Sequence, residues 1–245
     1  LTTLRWANTS RRSPGPTERL RRSPGTGPTV PLVSVLSASV TVGEQVQTSL
    51  DHWSVGDWRS AMWHATAALD ETAAKRYPLL GPAPRFRRIV RDDLDIFAAL
   101  TAPDINLVES RFPVPVSSDQ LDSRPDIADL LYGVHQYLHE DMTAMPAGCE
   151  IMPHAETVPM YEIGGGRLWL RGSAVLGLLG IAVFATENKD EWIPDHYSLG
   201  WRQHTFFVCG WWGWSAHFRD IVAHVPIPRY TLDFAEQWDI WGPLD

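Results

Sequence analysis

The sequence predicts an α+β protein: an N-terminal bundle of about four helices, then short antiparallel hairpins and two further helices. Three observations carry that expectation. Between residues 43 and 145 apolar side chains recur at three- and four-residue spacing, the pattern of helices with one buried stripe. After Cys149, short runs of strand-forming residues flank glycines, as in hairpins. Beyond the first of these hairpins runs an unbroken apolar segment, Ala174 to Ala185. It is too short for a bilayer span and suits a buried helix.

Residues 1–42 stand apart as a disordered basic leader. They repeat Arg-Arg-Ser-Pro-Gly at 11–15 and 21–25, and they carry Arg5, Arg11, Arg12, Arg19, Arg21 and Arg22 against one acid, Glu18. So few apolar groups cannot offset chain entropy. No methionine precedes Met62, so the native start is expected near Val40 or Val42 rather than at Leu1. A secretory signal is the competing reading, since Arg21 and Arg22 precede Pro31 to Val40. Three serines and a proline make that stretch a poor signal core.

Residues 43–245 then form a single α+β domain, helical over 43–145 and mixed over 146–245. Gly43 to Ser54 forms a first helix, broken at Gly56. Asp57 caps a second, where Trp58, Ala61, Met62, Ala65, Leu69 and Ala73 make the stripe. Pro78 ends it. Pro84 opens a third helix with Phe86, Ile89, Val90, Leu94 and Phe97 facing the core. A polar loop spans Ala102 to Ser123, and Asp122 or Ser123 caps a fourth helix through Ile127, Leu130, Leu131, Val134 and Leu138. Val158 to Ile163 and Arg167 to Leu170 pair across Gly164-Gly165-Gly166. Ser173 caps the apolar helix. Tyr197 to Trp201 and Thr205 to Cys209 make a second strand pair, Trp214 to His224 a last helix, and Tyr230 to Trp241 a strand or docked tail.

Composition narrows the function. The chain has 245 residues, 44% of them hydrophobic, and a formal charge of −8. With the leader set aside the body is more acidic still, which disfavours extended duplex binding. Cys149 and Cys209 give no disulfide framework and no Cys-x-x-Cys pair. The expectation is a cytoplasmic bacterial protein, with no membrane partner and no cofactor.

His135 and His139 sit four apart on the fourth helix. With Tyr132 and Gln136 they are expected to face outward, opposite the core stripe. His-x-x-x-His on a helix can hold zinc, but Gln136 replaces the general-base glutamate of zinc proteases, and an amide cannot take a proton from water. Arg85, Arg87, Arg88 and Arg91 gather on the third helix. They are the candidate phosphate contacts, Arg85, Arg88 and Arg91 foremost, unless Asp92, Asp93 and Asp95 pair with them. Six aromatic residues between Trp201 and Trp214, with Trp192, Trp238 and Trp241, form either a core or a protein-binding surface. The three glycines lack a following Lys-Ser/Thr, and no Gly-x-Ser-x-Gly occurs.

The stretch Leu130-Leu131-Tyr132-Gly133-Val134-His135-Gln136-Tyr137-Leu138-His139-Glu140 resembles the signature helix of HEPN-type domains. Asp57 to Ala65 is similar to their early helix. Active members are metal-independent RNases of toxin and phage-defence systems, with an arginine separated from a histidine by four to six intervening residues. The resemblance carries over His139 alone, because Tyr132, Gly133 and Val134 occupy the arginine positions. Arg59–His64 and Arg219–His224 also fit the spacing, as chance allows. Three functions follow. The first is a non-catalytic interaction or regulatory module of a stress or defence system, with a protein partner or a second copy of the chain. The second is a metal-independent RNase that uses His139, with RNA as partner. The third is a metal-dependent hydrolase built on His135, His139 and an acid.

Overall fold

A computed structural model describes residues 40–112, 125–139, 149–152, 161–164, 167–201, 204–224 and 230–231. The expectations for the leader up to residue 39, the loop at 113–124, Gly165-Gly166 and the tail beyond Thr231 lie outside the described residues. Within them the protein is mostly helical with small sheets, an α+β fold.

Helix α1 (Val42–Ser54) opens with a reciprocal cap. The Thr41 hydroxyl accepts from the Glu44 N–H at 3.1 Å, and the Glu44 carboxylate accepts from the Thr41 N–H at 2.8 Å. Gly56, at a φ of 78°, turns the chain in the left-handed region. Asp57 then caps α2 (Trp58–Arg76) by accepting from the Ser60 N–H at 3.1 Å, as its position predicts. Helix α2 is the hub. It packs against α1, α3, α5 and α6. Thr66, Ala68 and Thr72 are therefore buried in addition to its apolar stripe.

The expected third helix is two. Helix α3 (Pro82–Asp92) and α4 (Leu94–Thr101) meet at Asp93, although the apolar stripe runs through the break. The Asp93 carbonyl accepts from the Ile96 and Phe97 N–H groups, which starts α4 afresh. Its side chain is only 6% exposed and takes Arg76 and Arg219, each at 2.6 Å. Arg76 also holds Glu187, and Arg219 holds Asp95. The break thus anchors an ion lattice joining α2, α4 and α7 (Ser215–Ala223).

Helix α5 (Ile127–His139) packs on α3 and α2. Helix α6 (Ala174–Phe184) is buried along its whole length and lies against α4 and α2. Glycine allows the close approach to α4: a Cβ at Gly177 would run into Phe97 and Thr101, and one at Gly180 into Leu100. Ser173 precedes α6 in a helical conformation and makes no side-chain cap bond, contrary to its expected role.

A 3-10 turn at Thr186–Asn188 follows. The buried Asn188 amide donates to the Thr72 hydroxyl and the Ala182 carbonyl, both at 2.8 Å, and accepts from Lys75 at 2.9 Å. The Glu191 carboxylate accepts from Lys75 at 2.7 Å and from the Gly43 N–H at 2.8 Å, tying the start of α1 to residues far along the chain.

Strands β1 (Cys149–Met152), β2 (Tyr161–Gly164) and β3 (Arg167–Arg171) form a sheet in the order β1-β3-β2. The β2–β3 pair is the expected antiparallel hairpin. The parallel pairing of β1 with β3, Cys149 opposite Leu168, is an addition that local patterning did not reveal. Strands β4 (Ser198–Trp201) and β5 (His204–Phe207) make the second antiparallel pair. Tyr230 bridges Ile105 in parallel. No helix among the described residues is long and apolar enough to cross a membrane.

Candidate functional site

Helix α5 presents His135 and His139 to α2 and α3, not to solvent as the sequence suggests. The His135 ring lies face to face with Phe86 at 4.9 Å between centroids and beside Tyr132 at 5.8 Å. Tyr132 is itself buried rather than part of an outer polar face. His139 stacks on Trp63 at 4.6 Å, and the two imidazoles are 4.6 Å apart. His139 Nε2 is 3.0 Å from the Thr66 hydroxyl and 3.2 Å from the Trp63 carbonyl oxygen. A carbonyl only accepts, so this contact assigns the ring proton to Nε2. Gln136 is half-buried on the same helix.

His135 is the more perturbed of the pair. Its Nδ1 is sealed from solvent with no hydrogen-bond partner among the described residues. Burial, then the nearby His139 and, more weakly, Arg85 push its pKa down to about 4, against a partial opposing pull from Asp70. The neutral ring is therefore the state that fits this seam.

The ring contacts continue across α2. Trp63 and His64 meet in a T-shaped contact at 4.6 Å, and His64 stacks on His52 at 5.4 Å. His64 Nδ1 donates to the Gln45 side-chain oxygen at 2.7 Å, while His52 Nδ1 lies 3.1 Å from the Asp57 carboxylate. Burial lowers the His64 pKa, with His52 and His139 adding to the effect. Four imidazoles and one indole thus form a continuous row: His52, His64, Trp63, His139, His135. The row spans α1, α2 and α5 and abuts Phe86 of α3.

Of this row the sequence singled out the α5 histidines and, only through its spacing from Arg59, His64. His52, Trp63, Thr66 and Asp70 were missed. A signal existed: Trp63, Thr66 and Asp70 recur three and four apart on α2 beside the apolar stripe, marking a second packed face.

The basic cluster is committed elsewhere. Arg85 grips Asp70 through two bonds of 3.0 and 2.8 Å. Arg87 lies over the Tyr132 ring at 4.5 Å, with its Nε 3.0 Å from Asp129 but out of line for a hydrogen bond. Arg88 is 3.6 Å from Asp92 and sits over Tyr77, whose hydroxyl donates to the same carboxylate. Arg91 holds Asp126 at 2.7 Å and Asp129 at 3.1 Å. The anticipated pairing with Asp92 holds for Arg88 alone. Asp93 and Asp95 instead serve Arg76 and Arg219. Among the described residues no three metal-ligating side chains converge.

The aromatic cluster is part core and part surface. Phe184 stacks on Phe218 at 4.4 Å and meets Trp211 edgewise, with Trp212 and Phe206 buried nearby. Trp192, Phe207 and Trp214 remain 68, 58 and 55% exposed. An apolar pocket between α1 and α6, lined by Val46, Leu50, Val183, Phe206 and Trp211 among others, is open to solvent and has a cavity volume of only about 20 Å³.

The family model of Rv1289 matches residues 41–238. The chain belongs to the Rv1289 family. The matched span opens at Thr41, the cap of α1, and takes in the whole ring row. Similar members are "Uncharacterized protein Rv1289" of Mycobacterium tuberculosis and "Uncharacterized protein Mb1320" of Mycobacterium bovis. Each is 46% identical over 207 residues, which cover 84% of this chain and 99% of the relative. No solved structure is significantly similar to the chain.

Proposed function

We propose that this member of the Rv1289 family is a non-catalytic interaction or regulatory module, a degenerate HEPN-like domain of a bacterial stress or defence system working in the cytoplasm. One observation carries the reading: the groups that RNA cleavage would need are already engaged within the chain. A base must take the 2′-hydroxyl proton, and a cation must stabilise the phosphorane. His139 keeps its Nε2 against Thr66 and the Trp63 carbonyl, and each arginine of the basic cluster has a carboxylate at 3.6 Å or closer. The packing of α2 on α5, the two helices that carry the resemblance, supports the HEPN-like assignment. Exposed Trp192, Phe207 and Trp214 supply ring surface for a protein partner or a second copy.

Incubating the full chain with total RNA, with and without chelator, tests this beside His139→Ala. No cleavage is expected under any condition. Cleavage that survives chelator and disappears in His139→Ala would establish the RNase reading instead. Hydrolysis that appears only with added zinc and is lost in His135→Ala would establish the metal-dependent one.

A further inference from the structure

We propose that the row of four imidazoles is an acid-sensitive latch that holds α5 against α2 and α3 while His135 is neutral and releases it when His135 gains a proton. The latch stands whether or not the protein is catalytic. Its basis is the placement of the rings. His52, His64, His139 and His135 follow one another through contacts of 4.6–5.4 Å, bridged at the centre by Trp63. Stacked rings at such distances tolerate one charge far better than several, because neighbouring cations in a half-buried seam repel.

Among the described residues the charged groups around the row are already engaged with one another. From α1 the row meets His52 and Gln45; from the start of α2, Asp57; from α2 itself, Trp63, His64, Thr66 and Asp70. From α3 come Phe86, Arg85 and, over the Tyr132 ring, Arg87; from α5 comes Tyr132. Among the described residues two carboxylates act directly on rings of the row, one toward each end, and both are occupied. Asp57 caps α2 and touches His52, while Asp70 is gripped by Arg85. Asp129 is shared between Arg87 and Arg91. Nδ1 of His135 is sealed with no hydrogen-bond partner among the described residues, so a proton there would find no acceptor.

The direction follows from His135. Its value in the folded state, about 4, lies below the 6.5 of a free imidazole. Above pH 6.5 both packed and released rings are neutral, and the seam is intact. Below 6.5 the released ring takes a proton that the packed ring refuses, until the packed ring titrates near pH 4. Between pH 7 and pH 4 the equilibrium moves toward release by on the order of a hundredfold. Release uncovers Ile127, Leu130, Leu131 and Val134, now buried on α5.

Hydrogen exchange on the full chain between pH 4 and 7.5, with rates corrected for the intrinsic pH dependence, tests the latch. Peptides across 127–139 are expected to lose protection by on the order of a hundredfold toward pH 4. Peptides across 174–184 should keep theirs. His135→Phe, or His139→Gln if the first variant fails to fold, should flatten the response at 127–139. Simultaneous loss in both segments would overturn the latch in favour of global acid unfolding. An unchanged response in the variant that folds would also overturn it. In the wild-type protein, an imidazole resonance titrating well below 6.5 is expected from His135; ordinary titration there would sink the idea.

Discussion

Helices α5 and α6 both bury one side against α2, yet they do so with opposite chemistry. Helix α6 is apolar on every face and reaches α4 at Gly177 and Gly180, where no side chain intervenes. Its polar attachments are confined to its end, where Asn188 satisfies the Ala182 carbonyl. Helix α5 instead brings two imidazoles into its seam and leaves one nitrogen unmatched. The first arrangement is indifferent to protons and intolerant of volume. The second accepts polar rings, and its strength depends on their protonation.

Changing volume in the α6 seam should give the largest effect. Gly180→Val forces a side chain into Leu100 and is expected to destabilise the fold by about 3 kcal/mol, equally at pH 7.5 and pH 5, as read from urea midpoints. Next comes the polar end of α6. Asn188→Ala strips partners from Thr72, Lys75 and the Ala182 carbonyl at once, for a loss of roughly 2.5 kcal/mol by the same measurement. In the α5 seam the decisive variable is pH. Because the His135 pKa is depressed on folding, wild-type stability should fall by roughly 2.5 kcal/mol as pH drops from 7 to 4, and His135→Phe should remove most of that decline. A decline of equal size in wild type and variant would dissolve the contrast between the two helices. The smallest effect belongs to Thr66→Val, which deletes the hydroxyl between Trp63 and His139 while keeping the shape. It should cost about 1 kcal/mol, and more exposure of Trp63 should appear in fluorescence quenching.

What the sequence disclosed was chiefly local. The Asp57 cap, the apolar α6 and the β2–β3 pair depend on neighbouring residues, so spacing and composition suffice to place them. The division of the expected third helix at Asp93 was hidden because its cause lies in Arg76 and Arg219, which arrive from other elements. The orientation of His135 and His139 failed for a related reason. A polar residue opposite an apolar stripe reads as solvated unless a partner face is known, and the rings that receive them, Phe86 and Trp63, belong to α3 and α2. The arginine partners Asp70, Asp126 and Asp129 were likewise remote, and only the i,i+4 pair Arg88–Asp92 could be anticipated from spacing.

The bond from the Gly43 N–H to the Glu191 carboxylate spans 148 positions. During synthesis α1 emerges before every other described element, yet its opening turn must wait for most of the polypeptide to clear the ribosome before this acceptor arrives. The earliest helix to be made is therefore among the last to be locked in place, and a stalled nascent chain short of Glu191 would present that end unfastened to chaperones and proteases.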